Sequence, residues 1–204
     1  MRKIWMITVA LLVAGCGIKQ QTVRLQMPEL QVDQSSGRPI VVDKVVDARR
    51  PPENSQLSAP DLAKNVGGVW RGGNGIQVDL EDGTVASEVH ELVVQSLRAV
   101  GYRVLPGGEV RDDVPVVSIK LTRFAVNMPF DFWRAATYSQ HMLADISTEM
   151  SVKRKDGSVR QLHVSGHGEN VYQRVTPENW EIAANRAMSD YSAQLKRAAV
   201  DFEN

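Results

Sequence analysis

The 204-residue sequence predicts an α+β fold, a mostly antiparallel sheet with two amphipathic helices packed on one face. Three observations carry that expectation. Two segments, 84–100 and 176–202, place their apolar residues on a stripe at helical spacing. A β-branched run, 40–47, reads as a strand buried on both sides. A pair of alternating segments, 140–154 and 158–174, flanks a short glycine turn and reads as a hairpin.

Taken in chain order, the first element is a leader. Met1-Arg2-Lys3 is basic, and Ile4 to Ala14 is apolar apart from Thr8. Eleven helical residues rise about 16 Å, half of a ~30 Å hydrocarbon core, so the segment suits export and cleavage better than spanning. The tetrapeptide Val13-Ala14-Gly15-Cys16 that follows resembles the lipobox of bacterial lipoproteins. That resemblance implies a diacylglyceryl group on the Cys16 thiol, cleavage before Cys16, and acylation of the freed amine. Each buried methylene contributes about 0.8 kcal/mol, so two or three acyl chains hold a protein on a bilayer where one does so only reversibly. Gly17, rather than Asp, follows the cysteine; by resemblance to the enterobacterial sorting pattern this favours the periplasmic side of the outer membrane. The expected organisation is a signal peptide over 1–15, a lipidated N-terminus with a tether or edge strand over 16–38, and a single periplasmic domain over 39–204.

Composition bounds the rest. Lys plus Arg and Asp plus Glu are both 24, and loss of Arg2 and Lys3 with the leader leaves 22 basic against 24 acidic residues. A nucleic-acid partner is not expected from such a balance. The single cysteine excludes an intrachain disulfide framework and a multi-cysteine zinc site.

Beyond the anchor, Val23, Leu25 and Met27 alternate, and Leu30 and Val32 follow at the same two-residue spacing, as an edge strand or a partly extended tether would. Arg50-Pro51-Pro52 ends the 40–47 strand. The stretch 51–75, with its Gly67-to-Gly75 cluster, reads as an irregular loop with one short helical turn near 58–64. Asp82 or Thr84 then caps the first long helix, whose stripe is Val85, Val89, Leu92, Val93 and Val100, and Gly101 stops it. Strands follow at 102–105 and 116–126. The Lys155-Asp156-Gly157 turn sets a hairpin register in which paired residue numbers sum to 312. Met142, Ala144, Ile146, Met150 and Val152 then share a face with Leu162 and Val164, and Gly166 and Gly168 fall on that face, where a helix could approach closely. The closing helix starts at Thr176-Pro177-Glu178 and buries Trp180, Ala184, Ala187, Met188, Tyr191, Leu195 and Phe202.

The succession of Val46-Asp47-Ala48-Arg49, the helix leading into Val100-Gly101-Tyr102-Arg103-Val104, the Asp156-Gly157 hairpin and the closing helix resembles the YajG-like lipoproteins over nearly the whole mature region. The resemblance implies a small bacterial envelope protein of unassigned function, and it transfers no catalytic residues. The glycine-rich stretch 66–75 and the aromatic segment around Trp133 depart from that pattern.

Candidate chemistry is sparse. His163 and His167 stand four positions apart, a step that on a strand spans about 13 Å, too far for both to reach one ion at ~2.0–2.1 Å. In the expected register they face Glu149 and Asp145 as cross-strand pairs instead. No serine sits in a Gly-x-Ser-x-Gly context, and the Gly67–Gly75 cluster lacks the Gly-Lys-Ser/Thr ending of a phosphate loop. No cofactor and no metal are expected besides the covalent lipid on Cys16. The segment Met128-Pro129-Phe130-Asp131-Phe132-Trp133, continuing to Tyr138, gathers four of the twelve aromatics between two strands. Aromatics at a loop mark partner surfaces or lipid contacts when exposed, and a lid over the core when folded back. Phe130, Phe132, Trp133, Tyr138 and Trp70 are therefore the candidate contact residues, with another envelope protein as the expected partner and the bilayer held through Cys16. A module binding glycan or a small molecule through the same rings is the alternative.

Overall fold

The computed structural model of the chain describes residues 18–30, 37–53, 55, 57–71, 74–105, 107, 114–129, 139–200 and 202. In order, these form β1 (Ile18–Val23), β2 (Arg38–Val42), β3 (Val46–Asp47), α1 (Ala59–Lys64), β4 (Asn65–Arg71), β5 (Asn74–Leu80), α2 (Val85–Ala99), β6 (Tyr102–Leu105), β7 (Val116–Asn127), β8 (Gln140–Lys153), β9 (Val159–Tyr172) and α3 (Pro177–Ala199).

The α+β class holds, but the sheet is mixed rather than mostly antiparallel. The pairs β1–β5, β2–β6, β2–β7, β3–β7 and β4–β7 are parallel, whereas β4–β5, β7–β8 and β8–β9 are antiparallel. β7 is the spine. One of its edges pairs along its length with β8, and the other meets β2, β3 and β4 in succession. Parallel partners need long crossovers and leave no local turn signal, so the sequence pattern does not announce them. The described residues also form three helices instead of two. The additional α1 buries none of its residues and is started by Ser58, whose Oγ accepts from the Asp61 N–H.

The run 40–47 divides into β2 and β3, with residues 43–45 between them. β2 lies between β6 and β7, and Ile40, Val41 and Val42 are buried, as a central strand requires. The largest difference from the sequence pattern is the stretch 65–80, which is the hairpin β4–β5 and not a loop. Its glycines serve close approach. A Cβ on Gly67 would lie 2.0 Å from the Val126 carbonyl oxygen, and one on Gly68 would lie 2.1 Å from that of Ile76. Both adopt φ near +145°, which only glycine accommodates readily.

The long hairpin follows expectation. Every β8–β9 pair, from Gln140↔Tyr172 to Lys153↔Val159, keeps the register set by the Asp156-Gly157 turn. Residues Met142, Ala144, Ile146, Met150, Val152 and Val164 are buried on the shared face. α2 carries the Thr84 cap, with Ser87 returning a bond to the cap backbone, and Gly101 follows at φ +87°. α3 crosses the sheet over Gly166 and Gly168. A Cβ there would fall 2.3 Å from the Ala187 oxygen and 2.1 Å from the Ala183 oxygen, respectively. Missing side chains on β9 and alanines on α3 thus bring helix and strand together.

Two buried polar contacts tie the helical layer together. Ser96 of α2 and Ser192 of α3 share a 2.7 Å hydrogen bond, and Thr148 of β8 and Tyr191 of α3 another of 2.7 Å. Burial pushes the Tyr191 hydroxyl pKa well above its ordinary value, against the opposing pull of the Thr148 bond. β1 and the chain just after it are tied to α3. Gln21 accepts from the Trp180 indole N–H at 2.8 Å, the Arg24 N–H donates to Glu181 at 2.8 Å, and the Gln26 N–H donates to Asn185 at 3.0 Å.

Candidate functional site

The side of the sheet away from α2 and α3 carries a cleft where the two arms of the sheet diverge along β7. β3 leaves β7 after the pair Asp47↔Leu121, and β4 joins it only at Gly67↔Val126. Between these points the β7 edge is bulged, with Thr122 left over as the pairing passes from Leu121↔Thr148 to Arg123↔Ser147. The bulge changes the parity of β7. Val117, Ile119 and Leu121 are buried before it, Phe124 and Val126 after it. A regular strand would turn Arg123 toward the core; the extra residue sends it to the outer face, where Lys120 already lies.

Arg49 closes the bottom of this gap. Its side chain is 4% exposed. Its guanidinium donates to both Asp47 carboxylate oxygens at 2.9 and 2.8 Å, to the Asn65 and Leu62 carbonyls at 2.6 Å each, and to the Phe124 carbonyl at 3.4 Å. One planar fork therefore satisfies carbonyls from α1, β4 and β7 while paired to a carboxylate. The Val46-Asp47-Ala48-Arg49 motif is accordingly a clamp: Asp47 and Arg49 hold the divergence open at a fixed width. Beside it, Asn65 donates to the Gly67 and Val78 carbonyls and to Asp79, all at 3.0 Å, and Gln20 and Gln77 donate to the same Asp79 at 2.7 and 2.8 Å.

The cleft has a volume of about 570 Å³ and is lined by Arg50, Pro52, Gly67, Gly68, Lys120 and Arg123, among others. A second hollow of about 390 Å³ continues along the same face past Lys44, Val46, Glu149 and Gln161. Val46 is 62% exposed there. Two cations on this face have partners across the strands: Lys120 bonds Glu149 at 2.9 Å and Arg123 bonds Asp145 at 3.0 Å. His167 also meets Asp145 at 3.0 Å, the cross-strand pair expected from the register. His163 stands opposite Glu149. The result is a zwitterionic outer face with a glycine-walled cleft, suited to binding a polar or charged group. No cluster of three or more His, Cys, Asp or Glu able to hold a metal forms among the described residues, and none of their helices is long and apolar enough to cross a membrane.

Of the residues singled out from sequence, Trp70 lies in β4, paired with Gly75 one step from the end of the hairpin, rather than in a glycine-rich loop. Cys16 and the aromatics Phe130, Phe132, Trp133 and Tyr138 lie outside the described residues. The cleft residues Arg50, Lys120 and Arg123 had no signal in the sequence, because their convergence depends on the bulge and on two non-local parallel pairings.

Comparison with known proteins gives a fold without an assigned activity. No family model matches the chain, and no curated protein matches it. Among solved structures, a crystal structure of an uncharacterized protein is similar at TM-score 0.51 and 15% identity, over 89% of this chain and 98% of that one. A protein from Xanthomonas campestris of the DUF330 family is similar at TM-score 0.45 and 13% identity, over 90% and 94% of the two chains. A minor lipoprotein from Acinetobacter baumannii gives TM-score 0.38 and 16% identity, over 57% of this chain and 87% of that one. The chain shares its α+β fold with the first of these, and its structural neighbours include bacterial lipoproteins.

Proposed function

We propose that this chain is a non-catalytic lipoprotein of the bacterial envelope, acylated at Cys16, held on the periplasmic side of the outer membrane, and engaged there with another envelope protein in cell-surface assembly or transport. The observation that carries the reading is the basic, apolar and small-residue leader ending in Val13-Ala14-Gly15-Cys16. The fold supports it in two ways. The first strand begins two residues after Cys16, so the domain is attached without a long linker. The outer face offers an open, charged cleft whose width is set by a buried clamp, a rigid surface of the kind a protein partner uses. Trp70 and the aromatics Phe130, Phe132, Trp133 and Tyr138 are the proposed apolar contacts.

Crosslinking mass spectrometry on intact cells tests this. A reproducible envelope partner, lost in the Trp133→Ala variant, is expected; the absence of any reproducible partner sinks the reading. The second reading, a glycan or small-molecule module, draws on the cleft volume of about 570 Å³, which falls in the roughly 300–1,000 Å³ range of ligand sites. Titration with cell-wall fragments separates the two, since only a ligand site shifts the tryptophan emission without a protein partner.

A further inference from the structure

Among the described residues β9 pairs with β8 alone, so one side of this 14-residue strand is a sheet edge. Its two halves are treated differently. The His167 N–H donates to Asp190 of α3 at 3.0 Å, and the Glu169 carbonyl accepts from Arg186 of α3. Those two side chains stand where a further strand would lie, which blunts that half of the edge. α3 then leaves β9: Tyr191 bonds Thr148 of β8, and the Ala199 carbonyl accepts from Tyr102 of β6. The half from Val159 to Ser165 is left without this cover. The ladder to β8 has no bulge, so the outward direction of the His167 N–H is shared by every second residue. Val159, Gln161, His163 and Ser165 therefore turn their N–H and C=O groups away from β8 as well. No proline interrupts them, Val159 is 56% exposed, and Leu162 between them is half-buried.

We infer that this open half-edge pairs antiparallel with the same half-edge of a second copy of the chain, about a two-fold axis at Leu162. The open stretch is bounded by the Arg154–Ser158 turn at one end and by Asp190 at the other. It matches itself in full only when centred on Leu162, with Val159 opposite Ser165 and Gln161 opposite His163. The outward groups of the two copies then exchange about eight backbone hydrogen bonds. Charge favours a second copy and fixes its direction. The turn end of the hairpin carries Lys153, Arg154, Lys155 and Arg160 against Asp156. The guarded end carries Glu169 and Asp190 against Arg186. Antiparallel pairing lays each basic end beside the acidic end of the other copy, with Lys155 opposite Glu169 in the same register. A parallel pairing would set like charges together. Leu162 meets itself across the axis, so two half-buried leucines cover one another. The pairing is independent of the acylation and of the other envelope protein proposed above.

Cysteine crosslinking of the full chain in its native host tests this. Leu162 faces itself at a non-hydrogen-bonded position, where Cα atoms stand about 4.5 Å apart, within the roughly 4.4–6.8 Å of disulfides. Under mild oxidation Leu162→Cys should give a disulfide-linked band of twice the chain mass. Val171→Cys, on the same strand, and the parent, which carries Cys16 alone, should not. The purified full chain should sediment as a dimer in detergent. Gln161→Pro should sediment as a monomer and keep the circular dichroism of the fold, because its N–H points outward and an edge strand accepts proline there. Equal bands from Leu162→Cys and Val171→Cys report chance collision and overturn the pairing. A monomeric parent, or a folded Gln161→Pro protein that stays dimeric, overturns it too. A Leu162→Cys disulfide to a chain of different mass overturns the second copy as occupant. Should Gln161→Pro not fold, the Leu162→Cys band still decides.

Discussion

Gly168→Ala is the sharpest probe of how α3 is seated. The new methyl would lie 2.1 Å from the Ala183 carbonyl oxygen, 2.4 Å from the Ala187 nitrogen and 3.0 Å from the Arg186 Cβ. Ordinary carbon–oxygen contact is about 3.3–3.6 Å, so the helix backbone must retreat by more than 1 Å. No flexible side-chain end is available to move instead, because the two nearest atoms are backbone. Overpacking of this kind costs about 1–3 kcal/mol. The stiffer unfolded chain returns about 0.4–1 kcal/mol. A net loss of about 1–2 kcal/mol follows, which in a domain of this size lowers Tm by roughly 2–8 °C. The assay is urea unfolding followed by Trp180 emission, with Tm by calorimetry. Trp180 is fully buried on α3 and hydrogen-bonded to Gln21, so a retreating helix should also shift its emission to the red. Gly166→Ala should behave alike, and the double variant should lose less than the two losses together, because one helix movement relieves both clashes. A Gly168→Ala protein as stable as the parent, with unchanged emission, would refute the close seating of α3 on β9.

Four further outcomes are expected. Arg49→Met removes every guanidinium bond of the clamp, leaving the Leu62 and Asn65 carbonyls without their donor and Asp47 without its ion pair; a loss of about 3–5 kcal/mol in urea unfolding is expected. Tyr191→Phe deprives the buried Thr148 hydroxyl of its partner, and about 1–2 kcal/mol should be lost, while β8–β9 amide protection next to it declines. Glu88 has its pKa raised above 4.5 by burial first and by Glu91 second. A carboxyl with a raised folded pKa binds protons more readily in the folded state, so its contribution weakens stability as pH rises through that window. Glu88→Gln should therefore raise Tm near neutrality and make no difference in acid below the unfolded value. Deletion of Thr122 removes the bulge and leaves Leu121 and Phe124 inward with Arg123 outward, in the register Leu121↔Thr148 and Arg123↔Ser147; the deleted protein should still unfold cooperatively by calorimetry, whereas insertion of an alanine after Thr122 should not.

Local signals carried much of the architecture. The Asp156-Gly157 turn fixed a 14-residue register, and apolar faces that agreed on both strands confirmed it at the level of sequence. Thr84, one of the two caps the sequence offered, Gly101, and the buried Val85, Val89, Leu92 and Val93 delimited α2 with equal clarity, while Val100 of the expected stripe stands at the C-terminal cap. What escaped was non-local. Gly67 and Gly68 carry turn chemistry in composition, yet they sit in a strand because Val126 and Ile76 approach too closely for any Cβ. The parallel pairs of β1, β2, β3 and β4 leave no turn between partners. Arg49 stood in a recognisable motif, but its role needs carbonyls 13, 16 and 75 residues away. The cleft exists only once the Thr122 bulge and those pairings are combined, so no sequence window contains it.

The latch between β1 and α3 has a consequence for biogenesis. Gln21 meets Trp180, and Arg24 meets Glu181, across sequence separations of 159 and 157 residues. Contacts so remote form late, after the entropy of closing nearly the whole chain has been overcome. The polypeptide therefore cannot seat its first strand against its last helix until nearly the whole chain is present. On the export proposed above, a chain that seats its first strand only after its last helix stays threadable while it is made, which is the condition that passage through a narrow translocation pore imposes.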